Sequence, residues 1–189
     1  MDIAFYESKK QIMNYTSKLL KYLLMQKGHK IVAIKETNNV WISLCDITEI
    51  KLLKNLKRRY PDKTITAGGF VAKLPVVSLY ADNICKAEAY NYINNDFSPE
   101  YSNDDYIDWE ANPLIKTTRA VHYYYAGKGC PRKCKFCETS WGNRCQRCPE
   151  SLIIRALRSI PKKEVITFIT NNFLYKNIPE YYMSRINTQ

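Results

Sequence analysis

Five of the chain's seven cysteines fall between residues 130 and 148, as Cys130, Cys134, Cys137, Cys145 and Cys148. The other two, Cys45 and Cys85, stand alone in apolar runs and read as small buried hydrophobes. A dense cluster reads differently. The number is odd, and a chain in a reducing compartment does not maintain disulfides, so clustered thiols point to metal. Cys130, Cys134 and Cys137 have the spacing C-x3-C-x2-C. Three thiolates on one short loop can each bind one iron of a cubane cluster, leaving the fourth iron without a protein ligand. Structural zinc takes four protein ligands, which a lone triple does not supply. A second pattern overlaps the first: Cys134, Cys137, Cys145 and Cys148 make two C-x2-C pairs, as in a zinc knuckle or ribbon. Its spacer is short, and it leaves Cys130 unused. Arg132, Lys133, Lys135, Arg144 and Arg147 interleave with Phe136 and Trp141 there, as in small nucleic-acid-binding metal modules. Both metals remain open on spacing alone.

The elements that must position these cysteines follow from periodicity. Glycine and proline in GKGCPRKCKFC force a loop after the β-rich run VHYYYA, so the thiolates project from a strand's carboxyl end. Pro149 and Glu150 open a helix with Cys148 at its N-cap, and Ile153, Ile154, Leu157 and Ile160 form its apolar face. EVITFIT is the next strand, NNF its exit loop, and IPEYYMSRI a further helix. Ahead of the cysteines, DIAFY is a short apolar run. Ile12, Tyr15, Leu19, Leu20, Leu23 and Leu24 then predict an amphipathic helix over 10–26, ended by Gly28. KIVAI and VWISLC read as strands, with Thr48 capping a helix that carries Ile50, Leu53 and Leu56. TITAGG reads as a strand with a glycine turn, and DNICKAEAYNYI as a short strand leading into a helix. This alternation predicts an α/β fold, a parallel sheet with crossover helices. Gly68 and Gly69 then lie at a strand's carboxyl end, where open α/β sheets place either a ligand crevice or a tight turn.

Composition bounds the rest. The 189 residues are 46% hydrophobic and 13% aromatic, which excludes a disordered tail and predicts a buried core. Six glycines and eight prolines exclude a collagen-like or low-complexity chain. No run of about 18 apolar residues occurs, so no membrane partner is expected. The start, MDIAFYESKK, has no apolar stretch of a secretory signal, so the expected location is cytoplasmic. The net charge of +11 divides unevenly, as +7 over 1–95, −4 over 96–120 and +8 over 121–189. The acidic interval, bounded by Pro99 and Pro113, reads as a linker between two parts. Clustered cations favour a nucleic acid or nucleotide as substrate.

C-x3-C-x2-C after a strand, with Phe136 before the last cysteine, resembles the radical S-adenosylmethionine (SAM) enzymes. The stretch GCPRKCKFCETSWGNRCQRCPESLIIRAL resembles the subgroup that carries an N-terminal cobalamin-binding-like domain, including Arg147 and the Pro149-Glu150 helix start. Lys27-Gly28-His29, VWISL, TAGGF and the segment AD-ICKAEA follow the order of that subgroup's Rossmann-like domain. The resemblance implies a Rossmann-like sheet over 1–95, a linker over 96–120, and the first two β/α units of a partial TIM-type barrel over 121–189. It also implies that Cys130, Cys134 and Cys137 hold a [4Fe–4S] cluster whose open iron binds SAM. Phe136 would flank the adenine, and Asn171 or Asn172 would reach the methionine amino group.

The chain departs from that pattern in three ways. A partial barrel needs about six strand–helix units, roughly 180 to 200 residues, and 69 residues follow position 120. A second polypeptide is therefore expected to complete the barrel. The D-x-H-x-x-G signature of a cobalamin ligand is absent, and the two histidines, His29 and His122, read as a turn and a strand residue. No His-ligated cobalamin is expected. Cys145 and Cys148 are additional to the family's triple, and zinc on Cys134, Cys137, Cys145 and Cys148 of a binding protein is the competing expectation.

Overall fold

The computed structural model describes residues 1–7, 15–85, 92–93, 97, 109–110, 112–116, 120–129, 145–170 and 180–188. The chain forms two units, Met1–Ser102 and Asn103–Gln189.

In the first unit, strand β1 (Asp2–Phe5) leads to helix α1 (Tyr15–Gln26) and β2 (Lys30–Ile31). Strand β3 (Asn39–Ser43), helix α2 (Ile50–Arg59), β4 (Thr64–Gly68) and β5 (Asn83–Ile84) follow. All pairings are parallel, in the order β2-β1-β3-β4-β5. Side chains alternate across a strand, so neighbours on β3 serve opposite faces. Val40 and Ile42 pack with Leu53 and Leu56 of α2 and with Ile65 and Ala67 of β4. Trp41 joins Ile3 of β1 and Leu24 of α1 on the other face. A sheet covered on both faces explains why the strands read as continuous apolar runs. The expected α/β sheet is present.

Local chemistry sets the boundaries. Helix α1 ends in a Schellman motif: His29 N–H donates to the Leu24 carbonyl at 3.0 Å and Gly28 N–H to the Met25 carbonyl at 3.0 Å. Gly28 supplies the required positive φ of 78°. The run KIVAI is a strand only at Lys30–Ile31, after which Ile34–Glu36 turns as a 3-10 helix. Asp46, rather than Thr48, is the cap before α2: its carboxylate accepts the Thr48 N–H at 2.7 Å. The expected N-terminal residues 10–14 of α1 lie outside the described residues.

In the second unit, strand β6 (Ile115–Lys116) pairs antiparallel with β7 (Val121–Tyr125). Helix α3 (Glu150–Ser159) then leads to β10 (Val165–Ile169), and β11 (Ile186–Thr188) ends the described chain. Strands β7, β10 and β11 are parallel, giving the order β11-β10-β7-β6. Ile153, Leu157, Ile166 and Phe168 are fully buried at the core of this unit. Two expectations change here. Residues 109–116 lie within the span expected as a linker, yet Trp109 packs into this core and β6 extends the sheet. An apolar tryptophan and a strand outweigh the acidic composition around them. The segment IPEYYMSRI is no α-helix where described: Glu180–Arg185 is a 3-10 turn that delivers Ile186 opposite Ile166. Arg185 anchors that turn by donating to the carbonyls of Ile160 (2.9 Å) and Pro161 (2.8 Å).

His122 is buried on β7, and its Nε2 is hydrogen-bonded to Glu164, whose other oxygen accepts from Lys116 Nζ at 2.9 Å. The bonds from Lys116 and then His122 hold the Glu164 carboxyl below its ordinary value. A carboxylate with a lowered pKa stabilises the fold above its unfolded value and loses that contribution as pH falls through the folded one. Glu164→Gln is therefore expected to lower the urea midpoint of the second unit at neutral pH. The gap to wild type should narrow below about pH 4.3. A gap that stays constant on acidification would contradict this assignment.

Among the described residues, no helix is long and apolar enough to cross a membrane.

Candidate metal centre

The cysteine loop leaves β7 through Ala126 and a short strand, β8 (Gly127–Lys128), and returns through β9 (Gln146–Arg147). These two pair antiparallel, Gly127 opposite Arg147 and Lys128 opposite Gln146. This pairing brings the two ends of the cysteine segment together. Gly129 turns the chain out of β8 at a φ of 73°. A two-residue ladder is too short to show as a periodic pattern, so nothing in the sequence announces it.

The base of this segment sits on the carboxyl ends of β7 and β10. Ala126 N–H donates to the Ile169 carbonyl at 2.9 Å, and Cys148 N–H to the Ala126 carbonyl at 3.0 Å. A Cβ at Gly127 would lie 2.5 Å from Thr170 Oγ1. Glycine at this position lets the exit of β10 press directly against the loop base. The two regions that the sequence singles out, the cysteine loop and the exit toward Asn171 and Asn172, thus start from adjoining backbone. Cys130, Cys134, Phe136, Cys137, Asn171 and Asn172 themselves lie outside the described residues.

Cys145 and Cys148 occupy opposite environments. Cys145 is exposed beside β9. Cys148 is 2% exposed and packs with Tyr124, Ala126, Leu152 and Phe168. Its Sγ is 3.8 Å from Tyr124 Oη. Burial pushes the Cys148 thiol up to about 11, although the bond to Tyr124 pulls the other way. To serve as a zinc ligand it would have to give up its proton as the metal binds and leave its packing in the core. The helix cap also shifts by one residue from expectation: Pro149 takes the cap of α3, its backbone extended. Cys148 is thereby turned into the core. Asn112 closes this wall by donating from Nδ2 to the Tyr125 carbonyl at 2.8 Å.

In the first unit, the strand order changes direction between β1 and β3, the place where such sheets bind ligands. Gly69 on the neighbouring exit has a φ of 98° and packs against the backbone of Leu44. The Gly68-Gly69 pair is a tight turn, filled by the protein itself. His29 lies at the opposite, amino edge, where its Nδ1 accepts from the Met1 ammonium at 3.1 Å. Burial and the neighbouring positive charges of Met1 and Lys27 lower its pKa.

Among the described residues, no three His, Cys, Asp or Glu side chains converge to hold a metal ion. Compared with known proteins, the chain matches no family model, and no curated protein is significantly similar to it.

Proposed function

We propose that residues 121–189 begin the barrel of a radical SAM enzyme, with Cys130, Cys134 and Cys137 as ligands of a [4Fe–4S] cluster. The observation that supports this reading most is the pinned loop: a C-x3-C-x2-C segment held by the β8–β9 ladder at the carboxyl end of a parallel strand. The donor set fits an iron–sulfur cluster better than zinc, because Cys148, the fourth ligand of the four-cysteine alternative, is packed in the core with Tyr124 and Phe168. Held by these three cysteines, such a cluster would supply an iron to bind SAM and a single electron for radical chemistry on it. The chain's own part is to fix geometry. The ladder closes the loop, Gly127 admits Thr170 of the adjoining strand exit, and Phe136 with Asn171 or Asn172 would line the SAM site.

In this reading, further barrel strands would add at β11, the edge of the described sheet. A parallel edge strand is a ready template for such pairing. Thiolate ligands also suit the reducing cytosol.

Anaerobic reconstitution with ferrous iron and sulfide tests the cluster. A brown chain holding about four irons is expected, with a visible spectrum that changes on adding SAM to the reduced protein. A colourless chain that takes up one zinc instead would overturn the reading.

A further inference from the structure

The first unit carries a charged surface on helix α2. Helix α2, IKLLKNLKRR, holds five cations and no anion. Its apolar side chains are committed inward, with Leu53 and Leu56 fully buried against the sheet. Two of its cations have structural work. Lys57 reaches both carboxylate oxygens of Asp82 at 3.0 Å, and that carboxylate also accepts the Ile65 N–H at 2.8 Å. Arg59 lies over the Tyr60 ring, 5.5 Å from its centroid.

The remaining three, Lys51, Lys54 and Arg58, are exposed and form no ion pair or hydrogen bond among the described residues. Their spacing of three and then four residues aligns them on one face of the helix. With a rise of 1.5 Å per residue, they form a stripe about 10 Å long. Of the acidic groups nearest in sequence, Asp62 forms no hydrogen bond or ion pair with the stripe among the described residues, and the two before the helix are occupied. Glu49 accepts the N–H groups of Cys45 (2.6 Å) and Asp46 (3.2 Å), and Asp46 accepts from Thr48. The stripe is left as a rigid row of uncompensated positive charge.

We propose that this outer face of α2 docks the phosphate backbone of a nucleic acid through Lys51, Lys54 and Arg58. Charge complementarity selects a polyanion, and spaced, rigidly held cations match a repeating phosphate chain. An anionic membrane is the less fitting partner. A helix lying in a membrane interface must present apolar side chains to it, and α2 exposes none. The proposal is independent of which metal the cysteine loop binds.

The test is fluorescence anisotropy of the full chain with a labelled oligonucleotide of about 20 nucleotides, titrated from about 50 to 200 mM salt. Lys51→Ala/Lys54→Ala/Arg58→Ala is expected to bind about tenfold more weakly at the low-salt end, with a salt slope shallower by about 2. Arg158→Ala/Lys162→Ala/Lys163→Ala removes the same charge from exposed positions of the second unit and should bind like wild type. An equal loss in both variants would show a net-charge effect and overturn the assignment. So would absence of binding by wild type at low salt, or unchanged binding by the α2 variant. Tighter binding of wild type to phosphatidylserine-containing vesicles than to the oligonucleotide would overturn it in favour of a membrane partner.

Discussion

Gly69→Ala is expected to destabilise the first unit by about 3 kcal/mol or more. Two costs combine there. The φ of 98° and ψ of 178° fall in a region that is essentially restricted to glycine. A Cβ would also overlap the Leu44 carbonyl oxygen and come within 3.0 Å of the Leu44 nitrogen. Backbone cannot rotate aside as a side-chain tip can. Leu44 is itself held, since its N–H donates to the Gly68 carbonyl at 2.7 Å and its own carbonyl accepts from Val71 at 3.2 Å. The substitution therefore separates the exits of β3 and β4. Gly28→Ala provides the comparison, because Gly28 also has a positive φ but nothing within 4 Å of its Cβ position. Its cost should be about 1 kcal/mol, the conformational part alone. Hydrogen exchange of the β3 and β4 amides reads the first unit separately from the second. Equal effects of the two substitutions would mean that the contact with Leu44 carries no cost.

Cys130→Ala is expected to abolish cluster assembly, taking iron from about four per chain to below about one. Cys134→Ala and Cys137→Ala should do the same, because a cubane held by three thiolates does not tolerate loss of one. Cys148→Ala should behave in the opposite manner. Its thiol is packed between Tyr124 and the apolar face of α3, so truncation leaves a small void beneath the loop. Iron content should remain while the second unit loses about 1 kcal/mol. Cys145→Ala, at an exposed position, should change neither quantity. The two metals predict inverse patterns. A zinc site built from the two C-x2-C pairs would be indifferent to Cys130→Ala and would lose its metal with Cys148→Ala. Iron, sulfide and zinc assays on this set, beside urea unfolding, separate the readings without any knowledge of the substrate.

Much of the fold is legible in local sequence. The strands around VWISLC, TITAGG, VHYYYA and EVITFIT appear where the β-rich runs stand. The helices α2 and α3 follow their apolar spacing, and Gly28 terminates α1 as its position suggests. The misplacements have a common form. Thr48 suits a cap by residue type, but Asp46 caps the turn by accepting the Thr48 N–H with a charged oxygen. Among its described residues, the polar, acidic stretch before β7 holds a buried tryptophan and the strand β6, and tertiary burial of these outweighs its composition. The run ending in Ile186 has spacing compatible with a helix, yet pairing with β10 draws its end into the sheet.

By itself the sequence determined residue spacing and local stereochemistry: where strands and helices occur, which glycine can end a helix, and that three cysteines fall within eight residues. These depend on neighbours a few positions apart. Only the tertiary structure decided the strand order β2-β1-β3-β4-β5, the ladder that closes the cysteine loop, and the filling of the Gly69 turn by Leu44. It also separated two cysteines of identical type and motif, leaving Cys145 in solvent and placing Cys148 against Tyr124. The reason is physical. A thiol's proton affinity and a glycine's necessity are set by what packs against them, and those partners lie far away along the chain.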